Sequence, residues 1–81
     1  MDHDVKAVSP LPDFTLQVEL ADGRQGVFDL KPHLHLAGLV PLREAGYFKQ
    51  VTILFGAVTW PGGEDISPDT LVAELKAVAP A

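Results

Sequence analysis

Trp60-Pro61-Gly62-Gly63-Glu64-Asp65-Ile66-Ser67-Pro68-Asp69-Thr70 decides the architecture, because it reads as the end of a strand, a glycine turn and the start of the last helix. Ser67 has the side chain of a helix N-cap, Pro68 suits the first helical position, and Asp69 puts negative charge in the first turn. From Pro68 to about Val78, the residues Leu71, Val72, Leu75 and Val78 fall on one apolar stripe. Pro80 forbids much extension beyond it. A C-terminal helix covering one face of a sheet is therefore expected.

Upstream, Phe14-Thr15-Leu16-Gln17-Val18-Glu19-Leu20 alternates strictly between apolar and polar. A strand sends alternate side chains to opposite faces, so Phe14, Leu16, Val18 and Leu20 are expected in the core. Asp22-Gly23 then gives a strong hairpin signal, with Gln25 to Leu30 as the return strand and Phe28 and Leu30 on one face. Val5 to Val8 reads as a short first strand ended by Ser9-Pro10-Leu11-Pro12, whose prolines suit an edge or a connection. Val51 to Phe55 and Ala57 to Trp60 read as a second hairpin turning near Gly56. Its register stays open, and a slip of one residue would exchange the faces of Phe55 and Trp60. Between the hairpins, Pro32 opens a short helical turn through Leu34 and Leu36 that Gly38 ends. Pro41 starts another, with Leu42, Ala45 and Phe48 at helical spacing. The expected fold is α+β: a small, mainly antiparallel sheet of about five strands from two hairpins, short helical turns in the middle, and one packed C-terminal helix.

An 81-residue chain is expected to form one domain over residues 1–81, near the small end of what folds alone. It has no cysteine, which removes disulfides and thiolate metal sites and fits a cytoplasmic protein. The longest apolar runs, Ile53 to Val58 and Leu36 to Val40, are far short of a membrane span. Met1-Asp2-His3-Asp4 is acidic where a signal peptide would be basic. The net charge is −5, and Lys6, Arg24, Lys31, Arg43, Lys49 and Lys76 are scattered. Nucleic-acid binders concentrate positive charge to displace counterions, so direct DNA or RNA binding is not expected. No membrane association is expected either.

Pro10-Leu11-Pro12-Asp13-Phe14, Asp22-Gly23, Phe28-Asp29-Leu30-Lys31-Pro32, Phe48 to Val51, and Trp60-Pro61-Gly62 through Ser67-Pro68-Asp69-Thr70-Leu71 together resemble the bacterial domain of unknown function 2442 family. The resemblance runs in order over nearly the whole chain. It implies a small α+β domain of bacteria and phages without an established activity. It also implies that some relatives are joined to a helix-turn-helix module or encoded beside another small protein. This sequence shows no such module, so a regulatory role is expected to act through a separate partner. Gly62-Gly63 departs from the Asn-Gly that a relative could carry there, which bears on the geometry of the turn.

The candidate chemistry is thin. Nucleophilic catalysis needs an activated side chain beside an oriented base. Of the two serines, Ser67 reads as a cap and Ser9 sits between valine and proline, neither in a nucleophile elbow. Gly62-Gly63 lacks the lysine and spacing of a phosphate loop. Glu64, Asp65 and Asp69 are weighed as a hard-cation site against acids that complement a helix start, and the second reading is favoured. His33 and His35 would share a face of an extended segment near Asp29, but zinc needs three or four ligands and no third is evident. The free amine, backbone amides and imidazole of Met1, Asp2 and His3 would give an incidental Cu(II) or Ni(II) affinity. No cofactor and no enzymatic activity are expected.

What remains is a surface. Trp60 reads either as core, with its indole N–H on a carbonyl, or as an interface anchor, and core is favoured. A binding surface is expected at Trp60, Gly62, Gly63, Glu64 and Asp65, where glycines allow close approach and carboxylates favour a basic partner group. Leu34, Leu36, Leu39 and Val40 lie in the least regular segment, and a homodimer through them or through a strand edge is expected. The leading expectation is a non-catalytic protein-interaction module binding another protein or itself. The alternative is a regulatory, ligand-sensing domain acting with a neighbouring-gene or helix-turn-helix partner.

Overall fold

The computed structural model describes residues 4–77. It opens with an antiparallel meander of β1 (Val5–Leu11), β2 (Thr15–Leu20) and β3 (Gln25–Asp29). The alternation of β2 is realised, since Leu16, Val18 and Leu20 are all fully buried. Phe28 and Leu30 join them in the core. The Asp22-Gly23 turn is a three-residue loop in which Leu20 N–H donates to Arg24 O and Gly23 N–H donates to Leu20 O. Gly23 has φ of +94°, the left-handed conformation that such a bulged loop requires.

Two expectations about this region change. The first strand does not stop at Val8 but runs through Pro10 to Leu11, where Pro10 pairs with Leu16. Proline is tolerated because β1 is the outermost strand of its sheet and the missing N–H leaves no central ladder bond unmade. Phe14 lies outside β2, in a turn where Asp13 and Phe14 both have positive φ (66° and 57°). Lys31 ties that turn down: its Nζ donates to the Asp13 carbonyl at 3.0 Å and lies 3.1 Å from the carboxylates of Asp13 and Asp29. The constraint seats the Phe14 ring edge-on against Phe48, with centroids 5.3 Å apart.

The middle segment forms 3₁₀ turns at Lys31–His33 and Ala37–Arg43 and a single α-turn, α1 (Ala45–Phe48). Gly38 does not end the first turn; it lies inside the second, as does Pro41. Leu42 and Phe48 point into the core as their spacing predicts. Glu44 caps α1, accepting from the N–H groups of Gly46 and Tyr47.

The expected single sheet of about five strands is not what forms. The second hairpin, β4 (Thr52–Leu54) and β5 (Ala57–Thr59), pairs with the two-residue β6 (Asp65–Ile66) as a separate three-stranded sheet. The two sheets meet where Val5 N–H donates to Gly56 O at 2.9 Å. With the hairpins on different sheets, Val58, Ile66 and Trp60 close over the core that β2 and β3 open. Each fully buried aliphatic side chain contributes about 1.5–3 kcal/mol relative to exposure.

The last helix, α2 (Pro68–Glu74), starts as the sequence predicts. Ser67 Oγ accepts from Thr70 N–H at 3.2 Å, and Leu71 is fully buried. It ends four residues before Val78, which lies outside the described residues. Leu75 turns extended (ψ 127°), and β7 (Lys76–Ala77) pairs with Gly26 and Val27 of β3. A Cβ on Gly26 would meet Leu75 Cγ and the Lys76 carbonyl at 2.6 Å. Satisfying the open edge of β3 through a glycine-wide gap outweighs another turn of helix. The meander sheet therefore has a short fourth strand.

Candidate functional site

The two ends of β5 carry turns of opposite character. At the downstream end the chain folds back on itself: Trp60 N–H donates to Glu64 O, Gly63 N–H donates to Trp60 O, and Thr59 Oγ1 donates to Glu64 O. Gly63 has φ of +97°. The Trp60 ring is 2% exposed and its indole N–H donates to Phe48 O at 2.9 Å, which decides for the core reading. Tyr47 caps the turn from α1. Its hydroxyl donates to Glu64 Oε1 at 2.6 Å and accepts from Gly62 N–H at 2.6 Å. The hydrogen bond to Glu64, together with desolvation, holds the Tyr47 phenol above its ordinary pKa.

These contacts change what the expected site residues offer. Gly62 is a glycine because of a close approach, but the approaching group is the chain's own: a Cβ there would lie 2.6 Å from Tyr47 Oη. Glu64 gives one carboxylate oxygen to Tyr47. The turn brings Gly62, Gly63, Glu64 and Asp65 to the surface and buries the side chain of Trp60, which supports the turn from below.

At the upstream end the ladder pairs Leu54 with Ala57, leaving a two-residue loop of Phe55 and Gly56. Both have positive φ, 51° and 78°, as a type I′ turn demands. Gly56 suits it; Phe55 does not. A left-handed conformation costs an ordinary L-residue about 1–2 kcal/mol, and Asn or Asp is the residue that hairpins prefer there. Among the described residues the side chain gains little packing in return: Phe55 is 95% exposed and Leu54 beside it 56%. The sequence reading missed this pair because the face of Phe55 hung on the register. The signal it held was a Phe-Gly turn where Asn-Gly would be easier.

The other candidates separate. His33 does not align with His35, because the segment is a 3₁₀ turn and not extended. Its ring stacks on Phe28 with centroids 5.6 Å apart, and Nε2 lies 2.8 Å from Glu74 Oε1. Among the described residues no group of three or more His, Cys, Asp or Glu is placed to hold a metal ion. Met1, Asp2 and His3 lie outside the described residues. Desolvation pushes the Asp29 carboxyl up, but the backbone N–H and ammonium of Lys31 outweigh it and hold the group low. In the irregular segment Leu34 and Leu39 pack on the core, while Leu36 and Val40 stay exposed. Among the described residues no helix is long and apolar enough to cross a membrane.

The chain belongs to the family described as "Protein of unknown function (DUF2442)", whose model it matches over residues 5–77. Comparison with curated proteins and with solved structures finds no match.

Proposed function

We propose that this chain is a non-catalytic protein-interaction module of the cytoplasm that binds another protein or itself. The observation that supports this reading is the Leu54–Phe55 tip. A local rule of hairpin formation is broken by a large aromatic side chain that, among the described residues, stands almost fully exposed. Consistency between local preference and fold is the rule in stable sequences, and departures concentrate where function needs them. Exposed aromatics are also the side chains that dominate interface energetics. The turn at Gly62, Gly63, Glu64 and Asp65 stands one strand away and supplies carboxylates that favour a basic group on the partner.

The test is capture with Phe55→Asn, which keeps the turn conformation and removes the apolar side chain. Bait and a differently tagged second copy are expressed together, and captured proteins are compared with those of the wild type. Loss of a captured protein, whether the second copy or another chain, is the expected result. Equal capture by both would end the assignment of the tip. A Glu64→Lys, Asp65→Lys double variant in the same comparison shows whether the glycine turn shares the surface.

A further inference from the structure

The turn of the first hairpin holds a reactive pair of groups. A backbone nitrogen that follows an aspartate can attack that residue's Cγ and close a five-membered ring. A side chain on the following residue obstructs the closure, and glycine has none. Among the aspartates only Asp22 is followed by glycine, and the chain has no asparagine to react in the same way. Gly23 stands at the loop tip with φ of +94°, and no atom lies within 4 Å of where its Cβ would be.

The step needs nothing but water. Gly23 N bonds to Asp22 Cγ, and its proton leaves together with one protonated carboxyl oxygen as a water molecule, giving a succinimide. Water then opens the ring at either carbonyl. Attack at Cγ breaks the new bond and restores aspartate. Attack at the main-chain carbonyl carbon breaks the original peptide bond and leaves isoaspartate, with Cβ and Cγ in the backbone and the former main-chain carbon as a side carboxylate. Nothing is oxidised or reduced. An added backbone atom would stretch the loop that Leu20 N–H and Arg24 O close, directly beside the fully buried side chain of Leu20.

The folded hairpin withholds both partners of this reaction. Gly23 N–H donates to Leu20 O at 2.9 Å, and ring closure would take that proton away. Asp22 Oδ1 accepts from Arg24 N–H at 3.0 Å, and Oδ2 accepts from Arg24 Nε–H at 2.7 Å. The departing oxygen has to gain a proton, whereas here both oxygens accept from Arg24, one of them in a charge-assisted bond. We infer that Asp22 is a site of spontaneous isoaspartate formation, and that Arg24 is the clamp that holds it in check while the hairpin is folded.

The test incubates the full chain in three states: native wild type, native Arg24→Gln, and wild type unfolded in urea. Isoaspartate has the mass of aspartate, so it is read by isoaspartyl methyltransferase labelling and placed by electron-transfer fragmentation. The unfolded chain is expected to form it at Asp22 at least about tenfold faster than the native one, because the hairpin is open. Arg24→Gln keeps the backbone donor and removes the guanidinium, so its native rate is expected to rise about two- to fivefold, as for loss of an exposed ion pair. Amide exchange at Gly23 is expected to stay as slow in the variant as in the wild type, which separates a lost clamp from an opened hairpin. Label confined to other aspartates overturns the site, and equal rates in native and unfolded chains overturn its protection by the fold. An Arg24→Gln rate equal to the wild type overturns the clamp. So does a Gly23 exchange rate that rises by the same factor as the isoaspartate rate, since opening of the hairpin then accounts for the whole gain.

Discussion

The two turns that bracket β5 differ in where their aromatic residue goes, and the contrast separates structure from surface. At the Trp60 end the aromatic is buried, its indole N–H is bonded to Phe48 O, and Tyr47, Glu64 and Gly62 form one short hydrogen-bonded chain. At the Phe55 end the aromatic stands in solvent on a backbone conformation that disfavours it. The first turn uses every unusual residue for the fold. In the second, the cost of Phe55 is matched by little packing among the described residues. An unusual residue therefore points to a partner only after its contacts within the chain have been counted.

The strongest way to break the comparison is at Trp60. Trp60→Ala removes a buried ring in contact with Phe48 and leaves a cavity, so thermal or denaturant unfolding is expected to show a loss of about 3–5 kcal/mol. A loss below about 1 kcal/mol would mean that this turn is no more structural than the other. Gly62→Ala is next. Its Cβ meets Tyr47 Oη, and the displaced hydroxyl is expected to cost about 1–3 kcal/mol by overpacking. An unchanged melting temperature would return Gly62 to the role of a surface glycine.

Phe55→Asn has the opposite sign. Asn tolerates the left-handed conformation and completes the favoured Asn-Gly turn, so the monomeric fold is expected to gain about 1 kcal/mol. A clear destabilisation under conditions without association would show that the ring supports the fold. The smallest effect is a titration. The Tyr47 phenol is held above its ordinary value by Glu64, so the folded pKa exceeds the unfolded one. Its stabilising contribution is then complete below the ordinary phenol value of about 10 and is lost as pH rises through the folded value. Tyr47 is the only tyrosine, so phenolate absorbance reads it directly. Glu64→Gln is expected to move that titration down, and a curve that does not move would remove the Tyr47–Glu64 bond from the account of the turn.

Much of the local architecture was legible because it depends on neighbours in sequence. The period-two pattern of Leu16, Val18 and Leu20, the left-handed Gly23 and the Ser67 cap each follow from contacts spanning a few residues, and all stand in the structure. The glycine turn was legible as a turn, but the use of Gly62 was not. The group that fills its missing Cβ is Tyr47, fifteen residues earlier. The Phe55 tip was half legible, as a hairpin turning near Gly56, while the place of Phe55 in the turn and its exposure waited on the register.

By itself, then, the sequence determined the α+β class, the first hairpin, the start of the last helix, the core faces of β2 and β3, and the family. Tertiary structure alone decided that the hairpins lie in two sheets, that the last helix stops at Glu74 so that Lys76 and Ala77 pair with β3, and that Trp60 is buried and Phe55 exposed. The physical reason is range. Caps, turns and alternation are set by backbone and side-chain preferences over a few residues. Strand partnership and burial depend on which distant edge or cavity is left to satisfy, and a one-residue change of register is enough to reverse them.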